Sequence, residues 1–199
     1  MKYNAEQTKI IKKSLAFAKK LQCTGRGKVS DNAYKKGSNK PPYWAADGIV
    51  PSIAEIKKGG VNCVGLINLM RRAIGLKVSV LNPNDKTRFG DTGEWFAYLK
   101  KEKRLKEFNI SKSYPVGTLL LRNYNPIDSG HVAVIYEENK KGVLFSKLIH
   151  SVGWCDGSKG KVVKIDDSVG KSYFCQYNGK NNKGHYTHIC LPEDWLLKN

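Results

Sequence analysis

A cysteine at the start of an apolar helical pattern is the first candidate for chemistry in this sequence. Cys63 follows a glycine pair and Asn62, and apolar residues then recur at helical spacing up to a predicted stop at Gly75. The N–H groups and dipole of a helix N-terminus favour an anion and can lower a thiol pKa below its reference value of about 8.5. Cys63 is therefore a candidate nucleophile. The alternative is a small apolar residue in a helix–sheet contact.

Two histidines fall where they could serve such a nucleophile. His131 begins a predicted strand, and His150 ends the next one, after a hairpin turn at residues 139–142. Antiparallel pairing brings the start of one strand beside the end of the other. A thiol nucleophile needs a base and a group that orients the base. We therefore expect Cys63, His131 and His150 to converge at one end of a sheet. The alternative for each histidine is a structural side chain at a strand end.

Several short motifs follow one another in a fixed order along the chain. The sequence has a tyrosine, then Asn-Cys-Val-Gly opening an apolar helix, then Pro-Val-Gly-Thr-Leu before a strand. Gly-His-Val follows at the start of the next strand, and Ile-His-Ser ends the strand after it. This order resembles that of the NlpC/P60 cysteine peptidases, which are papain-like peptidoglycan hydrolases. The resemblance extends over residues 40–153 and implies a helix, carrying the nucleophile, packed on an antiparallel sheet.

The resemblance also implies roles for particular residues. It assigns the nucleophile, the general base and the orienting residue to Cys63, His131 and His150. It assigns oxyanion and substrate contacts to Tyr43, Trp44 and Asn62, together with the backbone N–H of Cys63. The implied reaction is cleavage of a peptide bond in a peptidoglycan stem peptide through an acyl-enzyme. It requires no cofactor and no metal.

Two departures from the family pattern bear on the substrate. The family usually has Asp-Cys-Ser-Gly where this sequence has Asn-Cys-Val-Gly, and those neighbours often read polar groups of the substrate. The segment 82–113 is also long for the family. The motif therefore indicates amide-bond chemistry better than it indicates one substrate. The alternatives are a peptidase or deconjugating enzyme with a substrate inside a cell, and a catalytically silent basic binding module of the same fold.

The order of predicted elements indicates the fold class. A helix is predicted over residues 4–22, a polar loop over 24–42, and a second helical pattern between Trp95 and Phe108. Strands follow, with further strand patterns at 161–165 and 185–191. Helices first and hairpin-connected strands after them predict an α+β fold with an antiparallel sheet. We expect one domain over residues 1–199, with an N-terminal part (1–39), a catalytic core (40–153, including the insertion 82–113) and a C-terminal extension of the sheet (154–199).

The charge balance predicts attraction to polyanions. The chain has 35 Lys and Arg residues against 17 Asp and Glu residues, a net charge of +18. Such a surface is drawn to nucleic acid, acidic membrane or an anionic cell wall. The lysines are scattered and accompany no nucleic-acid motif, so a generic solvated surface is the favoured interpretation.

No apolar run approaches the roughly 20 residues of a membrane-spanning helix. The N-terminus lacks the apolar core of a secretion signal, so we expect a cytoplasmic protein, or one of viral origin or delivered by another route.

The cysteine count indicates reduced thiols. Five cysteines are an odd number, which does not suggest a disulfide framework, although the four besides Cys63 could still pair. His185, His188 and Cys190, with Cys155 and Cys175 nearby in the sequence, are residue types that bind zinc. Their spacing is irregular and includes no Cys-x-x-Cys pair. We therefore expect ordinary strand residues there, with a zinc-stabilised interaction protein as the alternative.

Overall fold

The computed structural model describes residues 3–24, 51–78, 92–122, 130–152, 163–171 and 186–197. Within these ranges the chain combines α-helices with an antiparallel sheet, so the predicted α+β class is confirmed. The predicted boundaries near residues 40 and 154 lie outside the described residues. No helix among the described residues combines the length and apolar composition that crossing a membrane requires.

The described helices differ in length and lie mostly in the first half of the chain. They are α1 (Ala5–Lys20), α2 (Ile53–Gly59), α3 (Cys63–Arg72), α4 (Thr92–Lys101) and α5 (Pro192–Trp195), with 3-10 turns at Val143–Phe145 and Val169–Lys171. The strands are β1 (Lys106–Glu107), β2 (Leu119–Arg122), β3 (His131–Glu137), β4 (Lys147–Ser151), β5 (Val163–Asp166) and β6 (His188–Cys190). They form one six-stranded antiparallel sheet in the order β1-β6-β2-β3-β4-β5.

Helix α1 shows how local sequence signals define an element. Asn4 caps its N-terminus, because the Asn4 side chain accepts from the backbone N–H of Gln7 while the Gln7 side chain accepts from that of Asn4. Ile11, Leu15 and Ala18 form a buried stripe at a spacing of three to four residues. The lysines fall on the opposite, exposed face. Helix α1 therefore packs its apolar stripe into the core and leaves its charges in solvent.

The sheet separates two apolar clusters because strand side chains alternate between its faces. On one face, Leu119, Val132, Val134 and Ile149 pack in the same cluster as the buried residues of α1, α3 and α4. On the other face, a smaller cluster covers the alternate strand residues. Its buried members are Tyr114, Leu120, Ala133, Ile135, Val143, Leu148, Val152, Val169, Tyr186 and Ile189.

The second helical pattern ends earlier than the sequence predicts. Helix α4 stops at Lys101, and Lys103 adopts a left-handed conformation with φ of 56°. A non-glycine residue in this region does not continue a right-handed helix. The apolar residues near Phe108 therefore belong to the strand region around β1, which pairs with β6. Long-range pairing with the sheet prevails here over helical periodicity.

The strand patterns are also shorter than predicted. In the segment 143–150, the first three residues form a 3-10 turn and β4 begins at Lys147. Of the predicted strand 185–191, residues 186–191 are described, and among these strand β6 covers His188–Cys190. The strands that carry His131 and His150 nevertheless pair directly and antiparallel.

Candidate active site

The N-terminus of α3 is tied to the end of strand β4. Asn62 caps the helix, since its Oδ1 accepts from the Gly65 N–H at 2.7 Å. One residue earlier, the Val61 carbonyl accepts from the hydroxyl of Ser151 at 2.7 Å, and Ser151 follows His150. Both ends of this bond are buried. The bond therefore fixes the start of the cysteine helix beside the strand end that carries His150.

The structure brings His131 and His150 together. Leu148 pairs with Ile135 in the register of β3 and β4, so His131 and His150 occupy diagonal positions on the same sheet face. His131 Nε2 lies 3.0 Å from His150 Nδ1, and the rings meet edge to face with centroids 5.2 Å apart. Only 3% of His131 and 1% of His150 is exposed to solvent. The two imidazoles therefore form a buried hydrogen-bonded pair.

The thiol of Cys63 lies against the first peptide of β3. Cys63 is the first residue of α3 and is half-buried. Its sulfur accepts hydrogen bonds from the backbone N–H of Val132 and from the hydroxyl of Thr92. Val132 directly follows His131 and faces α3, whereas His131 lies on the opposite face of the sheet by strand alternation. The thiol and the imidazole pair thus share one end of the sheet, with the His131–Val132 peptide between the two faces.

The pKa of the Cys63 thiol differs in direction from the sequence expectation. Burial raises this pKa above its ordinary value, although the hydrogen bonds from Val132 and Thr92 and from the first helical N–H groups oppose the effect. Removing the sulfur from water disfavours the thiolate by more than the helix N-terminus favours it. The resting form of Cys63 is therefore the neutral thiol, and the expected low pKa is wrong.

The pKa of His131 is shifted in the complementary direction. Burial lowers this pKa well below the ordinary value, and the electrostatic interactions with His150 and Arg122 lower it further. Arg122 is the residue directly opposite His131 in the pairing of β2 with β3. At neutral pH the His131 imidazole is therefore uncharged and can accept a proton.

A third side chain adjoins the imidazole pair, and the sequence reasoning missed it. Oδ2 of Asp166 lies 3.0 Å from His150 Nε2, and its other oxygen, Oδ1, lies 3.2 Å from the Lys164 ammonium. Burial raises the pKa of Asp166, but the contacts with His150 and Lys164 outweigh it, and the pKa falls below its ordinary value. The available signal was the strand pattern at 161–165, which ends just before this aspartate. Pairing that strand with β4 would have revealed the contact.

The remaining sequence candidates fall in different surroundings. Tyr43 and Trp44 lie outside the described residues, and the Asn62 amide oxygen is engaged as the helix cap. Among the residues that the structure describes, no group of three His, Cys, Asp or Glu side chains could hold a metal. His188 packs edge to face on Phe96, and Cys190 is buried. Cys155, Cys175 and His185 lie outside the described ranges.

Comparison with known proteins gives little beyond this geometry. No protein-family model and no curated protein matches the chain. Among solved structures, it is similar to a Staphylococcus aureus protein described as similar to lipoprotein, of the NLP/P60 family. The TM-score is 0.42 at 14% identity, and the match covers 88% of this chain but 40% of that one.

Proposed function

We propose that this protein is a cysteine hydrolase that cleaves an amide bond, with Cys63 as nucleophile, His131 as general base and His150 as the residue that orients His131. The observation that carries the proposal is the 3.0 Å bond between His131 and His150 at the sheet end where the Cys63 thiol contacts the Val132 backbone. Nucleophile, base and orienting group are the three parts that thiol catalysis requires.

The pKa directions fit a base-assisted attack rather than a preformed ion pair. His131 begins uncharged and Cys63 begins as a thiol. As the sulfur attacks the carbonyl carbon, its proton passes around the sheet end, through one bridging water, to Nδ1 of His131, the ring nitrogen not used by His150. The new S–C bond gives a tetrahedral oxyanion, which the backbone N–H of Cys63 would stabilise, with Tyr43 as a second donor by resemblance.

The second half of the reaction returns the enzyme to its starting state. The imidazolium of His131 protonates the leaving amine as the C–N bond breaks, which leaves an acyl group on Cys63. A water then gives a proton to His131 and attacks the acyl carbon. The S–C bond breaks, the sulfur regains its proton, and the carboxylic acid leaves. No step requires a cofactor.

We propose peptidoglycan stem peptides as the substrate class. The support is the motif resemblance over residues 40–153 and the net charge of +18, which would favour approach to an anionic wall. The neighbours of Cys63 are the weakest part of this support. Asn62 uses its side-chain oxygen to cap α3, and Val64 has no polar side chain with which to contact a substrate.

The test is digestion of purified muropeptides, followed by mass spectrometry. Wild-type protein should produce fragments whose summed mass exceeds the parent by one water. Cys63→Ala and His131→Ala should abolish them, whereas Cys23→Ser, at an exposed cysteine, should leave the yield unchanged. Cleavage that survives in Cys63→Ala would contradict the assignment of the nucleophile. If the wild type cleaves other peptides but no muropeptide, the substrate class is wrong and a peptidase with another substrate replaces it.

A second candidate is a basic binding module that keeps the fold without turnover. Two observations favour it: the net charge of +18 and the raised pKa of the Cys63 thiol. This candidate predicts that Cys63 reacts no faster than an ordinary thiol and that replacing His131 does not change its reactivity. The pH dependence of Cys63 alkylation, measured with and without His131, separates the two candidates.

A further inference from the structure

We infer that Asp166 is a positioning residue that sets the tautomers of both histidines, so that His131 presents an unprotonated Nδ1 for the Cys63 proton. The inference adds a positioning residue to the proposed site, and the catalytic role of that residue rests on the proposed function. It is carried by a continuous chain of buried contacts from β5 through β4 to β3. In that chain, Asp166 contacts His150 and His150 contacts His131.

The first step is the contact between Asp166 and His150. Oδ2 of Asp166 lies 3.0 Å from His150 Nε2, and the His150 side chain has no solvent exposure. An ionised carboxylate only accepts hydrogen bonds, so the His150 nitrogen that faces it must carry the proton. The lowered pKa of Asp166 is consistent with that ionised form. Neutral His150 therefore carries its proton on Nε2.

The second step passes this constraint to His131. A neutral imidazole with its proton on Nε2 has a lone pair on Nδ1. His150 Nδ1 is therefore an acceptor, and His131 Nε2, 3.0 Å away, must donate to it. Neutral His131 then has its own lone pair on Nδ1. This tautomer can take a proton from a thiol, whereas the opposite one has a hydrogen at Nδ1 and cannot.

Lys164 determines which side-chain atom of an asparagine at position 166 would face His150. Its ammonium lies 3.2 Å from Oδ1 of Asp166, and an ammonium only donates. In Asp166→Asn the single amide oxygen would face Lys164, so the NH₂ group would face His150. His150 Nε2 would then have to accept, and both histidines would adopt the opposite tautomers. The substitution changes few atoms but reverses every donor and acceptor in the chain of contacts from residue 166 through His150 to His131.

The test is ¹⁵N NMR of protein labelled in its histidine rings, recorded near neutral pH. Protonated and unprotonated ring nitrogens have well-separated shifts, so each tautomer is read directly. Wild type should show a protonated Nε2 and an unprotonated Nδ1 on both His131 and His150. Asp166→Asn should reverse both. The matched control is Asp167→Asn, at an exposed carboxylate one residue further along, which should leave both tautomers unchanged.

Three spectral results would overturn the inference. A protonated Nδ1 on His131 in wild type would do so, and so would a doubly protonated His150, because His131 Nε2 would then have to accept. Unchanged tautomers in a folded Asp166→Asn protein would also contradict it. Should that variant fail to fold, the wild-type spectrum still decides between the two tautomer sets.

Activity separates this inference from the proposed function. We expect Asp166→Asn to lower kcat roughly 100-fold or more with little change in KM, by analogy with triads whose orienting carboxylate is lost. Asp167→Asn should retain the wild-type kcat. If the tautomers are as inferred but the wild type cleaves no amide, the proposed function fails and the positioning of the histidines stands. If the wild type cleaves but kcat is unchanged in Asp166→Asn, the inferred role of Asp166 fails alone.

Discussion

At the scale of single residues, the site combines a neutral thiol with a neutral imidazole. Burial raises the pKa of Cys63 and lowers that of His131, so both groups are uncharged at rest. Removal from water is therefore the largest influence on both pKa values, as is common for titratable groups withdrawn from solvent. The sequence could indicate the helix N-terminus that favours a thiolate, but it could not indicate the desolvation that opposes one.

The buried His131 predicts that stability falls in mild acid. Its folded-state pKa lies below the unfolded value of about 6.5, so the unfolded chain binds the proton more readily. Stability therefore rises with pH up to that unfolded value and is lost as the pH falls below it. The loss is at most about 1.4 kcal/mol per pH unit for one proton.

Urea unfolding at several pH values between 5 and 8 measures this effect. The pH dependence should be shallower in His131→Gln than in wild type, because glutamine does not titrate. His188→Gln is the comparison, since this histidine lies outside the imidazole pair and burial lowers its pKa less than that of His131, so its replacement should flatten the pH dependence less. Equal slopes in wild type and His131→Gln would show that His131 does not contribute.

At the scale of elements, two contacts align α3 with the sheet. One joins the Cys63 thiol to the Val132 backbone, and the other joins the Val61 carbonyl to the Ser151 hydroxyl. They lie on β3 and β4, the strands that also carry the two histidines. The packing of one helix end on one sheet end therefore determines the geometry of the whole site.

The hydrogen bond from Ser151 to the Val61 carbonyl predicts that removing the serine hydroxyl lowers stability and also shifts the start of α3 relative to the sheet. Ser151→Ala leaves the buried Val61 carbonyl without this donor, which should cost about 1–3 kcal/mol. The start of α3 should also shift, and the alkylation rate of Cys63 should change with it.

The matched control for Ser151→Ala is Ser146→Ala. This buried serine, just before β4 and at its other end, accepts from the Asn139 N–H, so its loss should reduce stability without changing Cys63. Equal effects on Cys63 in both variants would contradict the alignment role of Ser151.

Much of the site was predictable because its signals are local. The start of α3 and the strands with His131 and His150 follow from apolar periodicity and a hairpin turn. Asp166 was not predictable in the same way, because its contact with His150 depends on the pairing of β5 with β4. The segment after Lys101 was mispredicted for a related reason, since its apolar residues at helical spacing serve the sheet. A contact that depends on which strands pair cannot be predicted from the periodicity of a single segment.

At the scale of the whole molecule, the net charge of +18 is distributed rather than concentrated. Exposed lysines occur on α1 and around the end of α4, among other places. Charges that act together at long range raise the local concentration of an anionic polymer without forming a specific site. The interaction should weaken with salt as the Debye length falls from about 30 Å at 0.01 M to about 8 Å at 0.15 M.

This distribution predicts that polyanion binding depends on total charge and not on position. Binding to an immobilised anionic polysaccharide should fall equally in two triple lysine-to-glutamate variants. One carries its changes on α1, at Lys9, Lys12 and Lys13, and the other carries them at Lys100, Lys101 and Lys103. Each variant changes the net charge by the same amount. Loss of binding in the α1 variant alone would reveal a dedicated face and contradict a diffuse surface.

The most direct test of the proposed catalytic site is the alkylation rate of Cys63 from pH 5 to 9, measured with limiting iodoacetamide and mapped by mass spectrometry. With His131 as base, the rate should be nearly independent of pH from about 6 to 8, because the imidazole stays neutral there. The exposed Cys23 is the internal reference, and its rate should rise with pH. In His131→Ala, Cys63 should become slower than Cys23 throughout, since its thiol pKa is raised. A wild-type Cys63 whose rate follows that of Cys23, and that does not respond to His131→Ala, would contradict the thiol–imidazole site.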